Sequence, residues 1–229
     1  MALASIQIHG ARNTRKSFLN PLFEPLVAGS RAADYTLAEM LAHVSGAVEK
    51  MQRFDIFHDE IHVHLSQPDP TDAASGPTDF DVALRVREKS RLFLKTGTDL
   101  GNTEGSAYGT LLWRNVLGGA ETLALNAAAG TRTRSSYSAE FAAPVASNPD
   151  LRFSLEGLAS STQKPWASHE EAVKGGGAKL TWARGAGDRH QFGYTGAWRQ
   201  ITGLAEKASP TVRGDAGDSV KSEIGRAHV

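Results

Sequence analysis

The chain has no cysteine, which excludes a disulfide framework and any thiolate metal site. It has no net charge, since Lys and Arg number 25 and so do Asp and Glu. Without a basic excess, nucleic acid is not an expected partner. No apolar run comes near the roughly 18 residues of a transmembrane helix. That excludes helical spans alone, because the strands of a membrane barrel alternate in polarity and escape a hydropathy scan. The opening MALASIQIHGARNTRK lacks the apolar h-region of a secretory signal. It enters a strand-like IQIH at once, and a natural start upstream is expected. Aromatic residues are scarce at 7%, while glycine is plentiful at 23 residues. That balance favours turns and small-residue packing over a Leu-rich helical core. A length of 229 residues allows one or two domains.

Residues 1 to 89 read as a small α+β unit. Ile6 and Ile8 alternate with polar neighbours and predict a first strand. Thr14 is placed to cap a short helix that Pro21 and Pro25 would limit. A firmer helix starts at Thr36, which forms a capping-box pair with Glu39. Leu37, Met40, Leu41, Val44, Val48 and Met51 follow near 3.6 spacing, and the helix should end about Arg53. Two strands are expected at Phe57–Leu65 and Phe80–Glu88, the second with Phe80, Val82, Leu84 and Val86 on one face. The Pro-, Asp- and Gly-rich stretch Gln67–Asp79 between them reads as a loop. His58, Glu60, His62 and His64 share one face of the first of these strands. They could gather a metal ion, but neighbours on one strand face point in parallel and do not converge on a tetrahedral centre. A solvated polar face explains the same pattern, so no metal and no cofactor is expected.

From residue 90 the grammar changes. Extended segments recur at 91–100, 106–116, 120–132, 135–144, 151–162, 176–185, 189–201 and 218–229, near the length a tilted strand needs to cross a bilayer. In the fifth, Leu151, Phe153, Leu155 and Ala159 oppose Arg152, Ser154, Glu156 and Ser160. In the seventh, Phe192, Tyr194 and Trp198 oppose Gln191, Thr195 and Arg199. A soluble sandwich would also alternate in this way. Trp113, Trp166, Trp182 and Trp198 fall near strand ends, as interfacial girdle residues would, although core packing explains them equally. Short turns are expected at Gly118–Gly119, Thr133–Arg134 and Gly187–Asp188, and long loops at Pro144–Asp150, Gln163–Gly175 and Leu204–Gly217.

The change falls at one hairpin, RLFLKTGTDLGNTEGSAYGTLLWRNV, from Arg91 to Val116. Its turn, Gly101 to Gly105, holds residues that tolerate the positive φ of a tight turn. The turn GNTEGS, the run WRNVLGGAETLALN (Trp113 to Asn126) and the upstream EKMQRFDIF (Glu49 to Phe57) resemble the fungal mitochondrial core channel subunit of the sorting and assembly machinery. That family belongs to the outer-membrane β-barrel insertases, with bacterial BamA a cousin. The resemblance runs from about Ile6 to Val229. It implies an α+β POTRA domain over residues 1–89, in the intermembrane space. It implies the first half of an antiparallel transmembrane β-barrel over residues 90–229, about eight of the family's sixteen strands. The barrel is therefore incomplete, and the chain looks like a fragment. The implied activity is insertion of β-barrel precursors into the mitochondrial outer membrane through a lateral gate. The implied partners are those precursors, the other subunits of the machinery and membrane lipid.

Within that reading the gate strand is Arg91, Leu92, Phe93, Leu94, Lys95, Thr96, Gly97 and Thr98, which directly follows the POTRA-like unit. A small passive pore and a soluble β-rich binding protein are the alternatives. Nothing in the spacing asks for catalysis: no His–carboxylate–Ser arrangement is suggested, and no enzyme is expected. Gly175–Gly177 lacks the Lys-Ser/Thr of a phosphate loop and reads as a strand entry. Arg213, Gly214 and Asp215 spell RGD, but a chance triplet in a loop is the better reading.

Overall fold

Two stretches of helical pattern and eleven of extended pattern become, in a computed structural model, a small α+β unit and a long antiparallel sheet. The described residues are 3–32, 36–67, 79–101, 105–131, 133–185, 187–206 and 208–228. They group into two compact units. The first holds Met1–Ser90 together with Asn115–Ala120 and Pro144–Pro149; the second holds Arg91–Arg114, Glu121–Ala143 and Asp150–Val229.

In the first unit β1 (Leu3–His9) is followed by α1 (Lys16–Ala32), α2 (Leu37–Gln52), β2 (His62–Ser66) and β3 (Phe80–Arg85). The three strands form one sheet in the order β1-β3-β2, with β1 parallel and β2 antiparallel to β3. The apolar face of β3 is buried as its alternation predicts: Val82 and Leu84 are fully enclosed, and Phe80 and Val86 are buried beside them. The core adds Leu3, Met40, Val44, Met51, Ile56 and Phe57, with Phe18 meeting Phe54 edge to face at 4.9 Å. Gly10 has φ +101, and a Cβ there would lie 1.9 Å from the Val86 carbonyl oxygen. The turn out of β1 therefore tolerates no side chain.

Three expectations for this unit are corrected. The first helix is not stopped by its prolines; α1 contains both Pro21 and Pro25. Each proline leaves the carbonyl four residues back unbonded. Those carbonyls belong to Ser17 and Pro21, which lie on the exposed side of the helix where water reaches them. Phe18, Leu19 and Phe23 meanwhile bury the opposite face. Thr14 does not cap the helix. Its hydroxyl donates to Glu88 Oε1 at 2.7 Å and accepts from Asn115 Nδ2 at 2.9 Å. The strand expected over Phe57–Leu65 is reduced to β2 plus one isolated bridge from Phe57 to Glu88. The loop expected at Gln67–Asp79 lies, for residues 68–78, outside the described residues.

Asn115 belongs to a polar knot inside this unit. It is 3% exposed and has φ +53. Its Nδ2 donates to Thr14 Oγ1 and to the Asn13 carbonyl, and its Oδ1 accepts from the Ala120 N–H at 2.9 Å. Glu88 in turn accepts from the Asn13 backbone N–H and side-chain amide, and the Gly118 carbonyl accepts from the Arg15 N–H at 2.8 Å. Removing a member would strand buried polar groups.

In the second unit β4 (Leu92–Leu100), β5 (Gly105–Arg114), β6 (Thr122–Gly130), β7 (Thr133–Val145), β8 (Asn148–Lys164), β9 (His169–Ala183), β10 (Arg189–Thr202) and β11 (Gly217–His228) form one eight-stranded antiparallel sheet in sequential order. The eight strands match the eight expected ones, with differences at their ends. The turn residues 102–104 lie outside the described residues. The expected pattern of short and long connections is not kept. Residues 146–147 alone join β7 to β8, and residues 165–168 join β8 to β9. The connection at Gly118–Gly119 is the longer stretch 115–121. The turn expected at Thr133–Arg134 is strand, since β6 ends at Gly130 and β7 begins at Thr133. Gly175–Gly177 lies within β9, not at its entry, and Arg213 and Gly214 end the short helix α3 (Pro210–Gly214), with Asp215 as its C-cap.

Directly paired residues share a face, so the register sorts the side chains. Leu94, Leu111, Leu125 and Ala139 form one row across β4–β7; Phe153, Leu180 and Phe192 form another across β8–β10. The other face carries Ser154 opposite Lys179 and Glu156 opposite Gly177 and Thr195, and Lys179 bonds Glu156 along it. The apolar face is open: Leu155 is 47% exposed, and Tyr194 and Ile224 are exposed beside it. Trp166, Trp182 and Trp198 are also exposed, which overturns core packing for these three.

Two outcomes follow from this packing. The Thr36 backbone N–H, then its hydroxyl, hold the Glu39 carboxyl below its ordinary value. A lowered carboxyl contributes stability above its unfolded value that is lost as pH falls through the folded one. Glu39→Gln should therefore lower the helical melting midpoint at pH 7, and the two proteins should converge in acid; parallel melts by circular dichroism over that range measure this. Asn115→Ala should cost about 1–3 kcal/mol in denaturant unfolding of the first unit, because the buried Ala120 N–H loses its Asn115 acceptor and Thr14 keeps only its bond to Glu88.

Candidate functional site: the open edge of β4

Among the described residues β4 pairs with β5 and with no other strand. It is the margin of the sheet, as β11 is the other. The strand is exposed along its whole length except at Gly97.

The ladder fixes which backbone groups are committed. The Arg114 N–H donates to the Arg91 carbonyl at 2.7 Å, and the register pairs Leu92 with Trp113, Phe93 with Leu112 and so on to Leu100 with Gly105. In an antiparallel pair, residues that exchange hydrogen bonds alternate with residues that do not. Phe93, Lys95, Gly97 and Asp99 thus turn their N–H and C=O toward β5. Leu94, Thr96 and Thr98 turn theirs to the open side. These three offer an array of donors and acceptors spaced two residues apart, the template on which another strand can pair.

The side chains of the eight candidate gate residues divide between the faces. Leu92, Leu94, Thr96 and Thr98 share the face of Trp113 and Leu111; Phe93, Lys95 and Gly97 share the opposite one. Arg91 stands at the foot of the strand, just before its first residue. The Lys95 ammonium sits 6.0 Å from the centroid of the Tyr108 ring. On the apolar face, where Gly109 and Ala127 lack bulk, an open hollow of about 650 Å³ is lined by Leu94, Leu111, Leu125 and Tyr137.

The apolar face carries tryptophans at two levels. Trp182 pairs with His190, and Trp198 lies on the same face further along β10. Eight residues of strand separate those rows, about 27 Å along the strand at ~3.4 Å per residue; at the roughly 35–45° tilt of outer-membrane barrels that is about 20 Å of height, within an apolar band of about 25 Å. The Lys174 ammonium caps the Trp198 ring at 5.7 Å, as a cation at an interface does. The Leu155 row, with Ala178 and Tyr194, lies midway. No helix of the described residues is long and apolar enough to cross a membrane, which says nothing of strands. No group of three His, Asp or Glu side chains that could hold a metal ion occurs among the described residues.

No family model matches the chain. A SAM50-like protein of Schizosaccharomyces pombe is 34% identical over 226 residues, covering 98% of this chain and 47% of that protein. The sorting and assembly machinery component 50 homologues of Bos taurus and Homo sapiens are each 32% identical over 196 residues, 84% of this chain and 40% of theirs. The chain therefore spans about half, or less, of the length of the curated relatives it matches. Among solved structures, BamA from Haemophilus ducreyi lacking POTRA domains 1–3 superposes with a TM-score of 0.68 at 13% identity, over 100% of this chain and 43% of that one. CdiB from Acinetobacter baumannii gives 0.55 at 12% identity, over 99% of this chain and 42% of that one. The fold is thus BamA-like, and the resemblance to the sorting and assembly machinery component 50 proteins holds along the chain.

The midway row supplies a direct outcome. Leu155→Arg should cost about 2–4 kcal/mol in lipid near the midplane, whereas Ser154→Asn, on the polar face, should be mild. Urea unfolding in lipid vesicles compares them, and equal costs would contradict the assigned faces.

Proposed function

We propose that this chain is the part of a mitochondrial outer-membrane β-barrel insertase that captures incoming precursor strands. In this reading the first unit is a POTRA domain in the intermembrane space, and β4 to β11 are barrel wall. Precursors of β-barrel proteins are the substrates, lipid surrounds the apolar face, and other subunits of the sorting and assembly machinery are partners. No bond is made or broken, so the activity is not enzymatic.

The observation that carries the reading is the outward backbone of Leu94, Thr96 and Thr98. In lipid an unpaired N–H or C=O costs several kcal/mol. An edge in that medium is satisfied only by another strand, and main-chain pairing accepts many sequences. The gate residues Arg91 to Thr98 thus serve recognition through backbone rather than side chains. Homology to proteins named for sorting and assembly and the BamA-like fold support the same assignment. The exposed apolar face speaks against a soluble binding protein, since a patch of that extent is otherwise covered. The α+β first unit speaks against a simple pore.

A proline scan separates backbone from side chain. The Thr96 N–H faces the open edge, so Thr96→Pro leaves the β4–β5 ladder whole, an allowed place for proline. It should lower insertion of a radiolabelled barrel precursor into isolated mitochondria several-fold, at unchanged protein level. Thr96→Val should insert normally. Lys95→Pro, which removes a bond to β5, should lower the level of the protein itself. Equal insertion by Thr96→Pro and Thr96→Val would refute the proposal.

A further inference from the structure

We infer that Tyr108 is a positioning residue: its ring, laid on Gly97, clamps the middle of β4 to β5 so that a strand arriving at the open edge pairs with β4 and does not displace it. The inference rests on the strand-capture reading above and adds what holds the captured strand's template in place.

Three observations meet at this point. Gly97 is the one residue of β4 that is not exposed, in a strand otherwise open on both faces. Tyr108 is its cross-strand partner. A Cβ on Gly97 would lie 2.5 Å from both Cζ and the hydroxyl oxygen of Tyr108, and 2.9 Å from Cε1. The ring therefore occupies the space that a side chain at 97 would take. Gly in a strand weakens it, because it has no side chain to pack and much backbone entropy to lose. An aromatic ring over an edge glycine offsets that loss. Gly97 also directs its N–H and C=O to Tyr108, by the alternation that the Arg91–Arg114 bond sets. The ring shields those two bonds from competing water and from a competing strand, and excluding water strengthens them. Lys95, two residues away on the same face, reaches over the same ring.

The consequence for capture is mechanical. An incoming strand can join β4 from outside, or replace β4 on β5. Both use the same kind of hydrogen bonds, so the β4–β5 ladder must be the harder to open. Gly97, in the middle of β4, does not make it so by itself. Tyr108 supplies the difference from the next strand, leaving the outward groups of Thr96 and Thr98 untouched.

The test uses the whole gene product that carries this chain, in lipid nanodiscs, with two readouts. The first is amide hydrogen exchange at Phe93, Lys95 and Gly97, which needs no precursor. Tyr108→Ala should speed it about two- to fivefold, the range of a cross-strand pair; Tyr108→Phe should leave it unchanged. Gly97→Ala should match Tyr108→Ala by pushing the ring aside, and the double variant should be no worse than either single one. Gly157→Ala, where a Cβ meets nothing within 4 Å, should be silent. The second readout is crosslinking of an arrested precursor, which should engage β4 alone in the wild type and spread to β5 in Tyr108→Ala. If Tyr108→Ala yields no folded barrel, Tyr108→Leu, which keeps bulk without a flat ring, should show both changes. Wild-type exchange and crosslinks in the folded variants, or additive effects of Gly97→Ala and Tyr108→Ala, would overturn the clamp. A wild-type protein that crosslinks nowhere on β4 would instead refute strand capture, while the exchange data still decide the clamp.

Discussion

A backbone amide in hydrocarbon has no water to turn to, and in the proposed membrane setting that constraint governs the second unit. Every strand from β5 to β10 is paired on both sides. Among the described residues the two margins, β4 and β11, are the exceptions, and β4 sits directly after the first unit in the chain. The outward groups of Leu94, Thr96 and Thr98 are then a demand for a partner, and strand addition is the way a sheet meets it. The side chains of β4 are secondary to this, which suits the proposed role of a template that accepts many sequences.

The same medium explains the faces. An apolar surface as open as that around Leu155 and Tyr194 would be a liability in water and is ordinary in lipid. The rows of Trp182 and Trp198 lie eight strand residues apart on the apolar face, and the polar face carries the ion pairs of Lys179 with Glu156 and Lys164 with Glu171. The first unit follows water's rules instead: one buried core, a capped helix, and a polar knot at Asn115 in which each group has a partner.

Much of this was legible in the sequence. The eight strands showed because alternation is a local signal, and α2 showed because its capping box and apolar spacing agree. The misreadings have physical causes. His169, Glu170 and Glu171 looked like loop, yet they extend β9 because Ser161 and Lys164 of β8 bond the two glutamates across the pair. Pro144, Asn148 and Pro149 looked like a long connection, yet the chain reverses at Ala146 and Ser147 alone, both at positive φ, without the Gly or Asn that marks such turns. Pro149 is tolerated near the start of its strand. The prolines of α1 suggest stops in the sequence because their exposed placement depends on the whole unit. The signal for Tyr108 lies in the register: the β4–β5 hairpin that pairs Leu100 with Gly105 also sets Tyr108 across from Gly97.

Strand capture at β4 is tested most directly by placing single cysteines at each residue from 91 to 100 and crosslinking them to a barrel precursor arrested during insertion, with residues 151–162 of β8 as the control. The account predicts crosslinks confined to residues 91–100 and alternating along them, strongest at Leu94, Thr96 and Thr98. Crosslinks absent from that strand, or equally strong on β8, would contradict it.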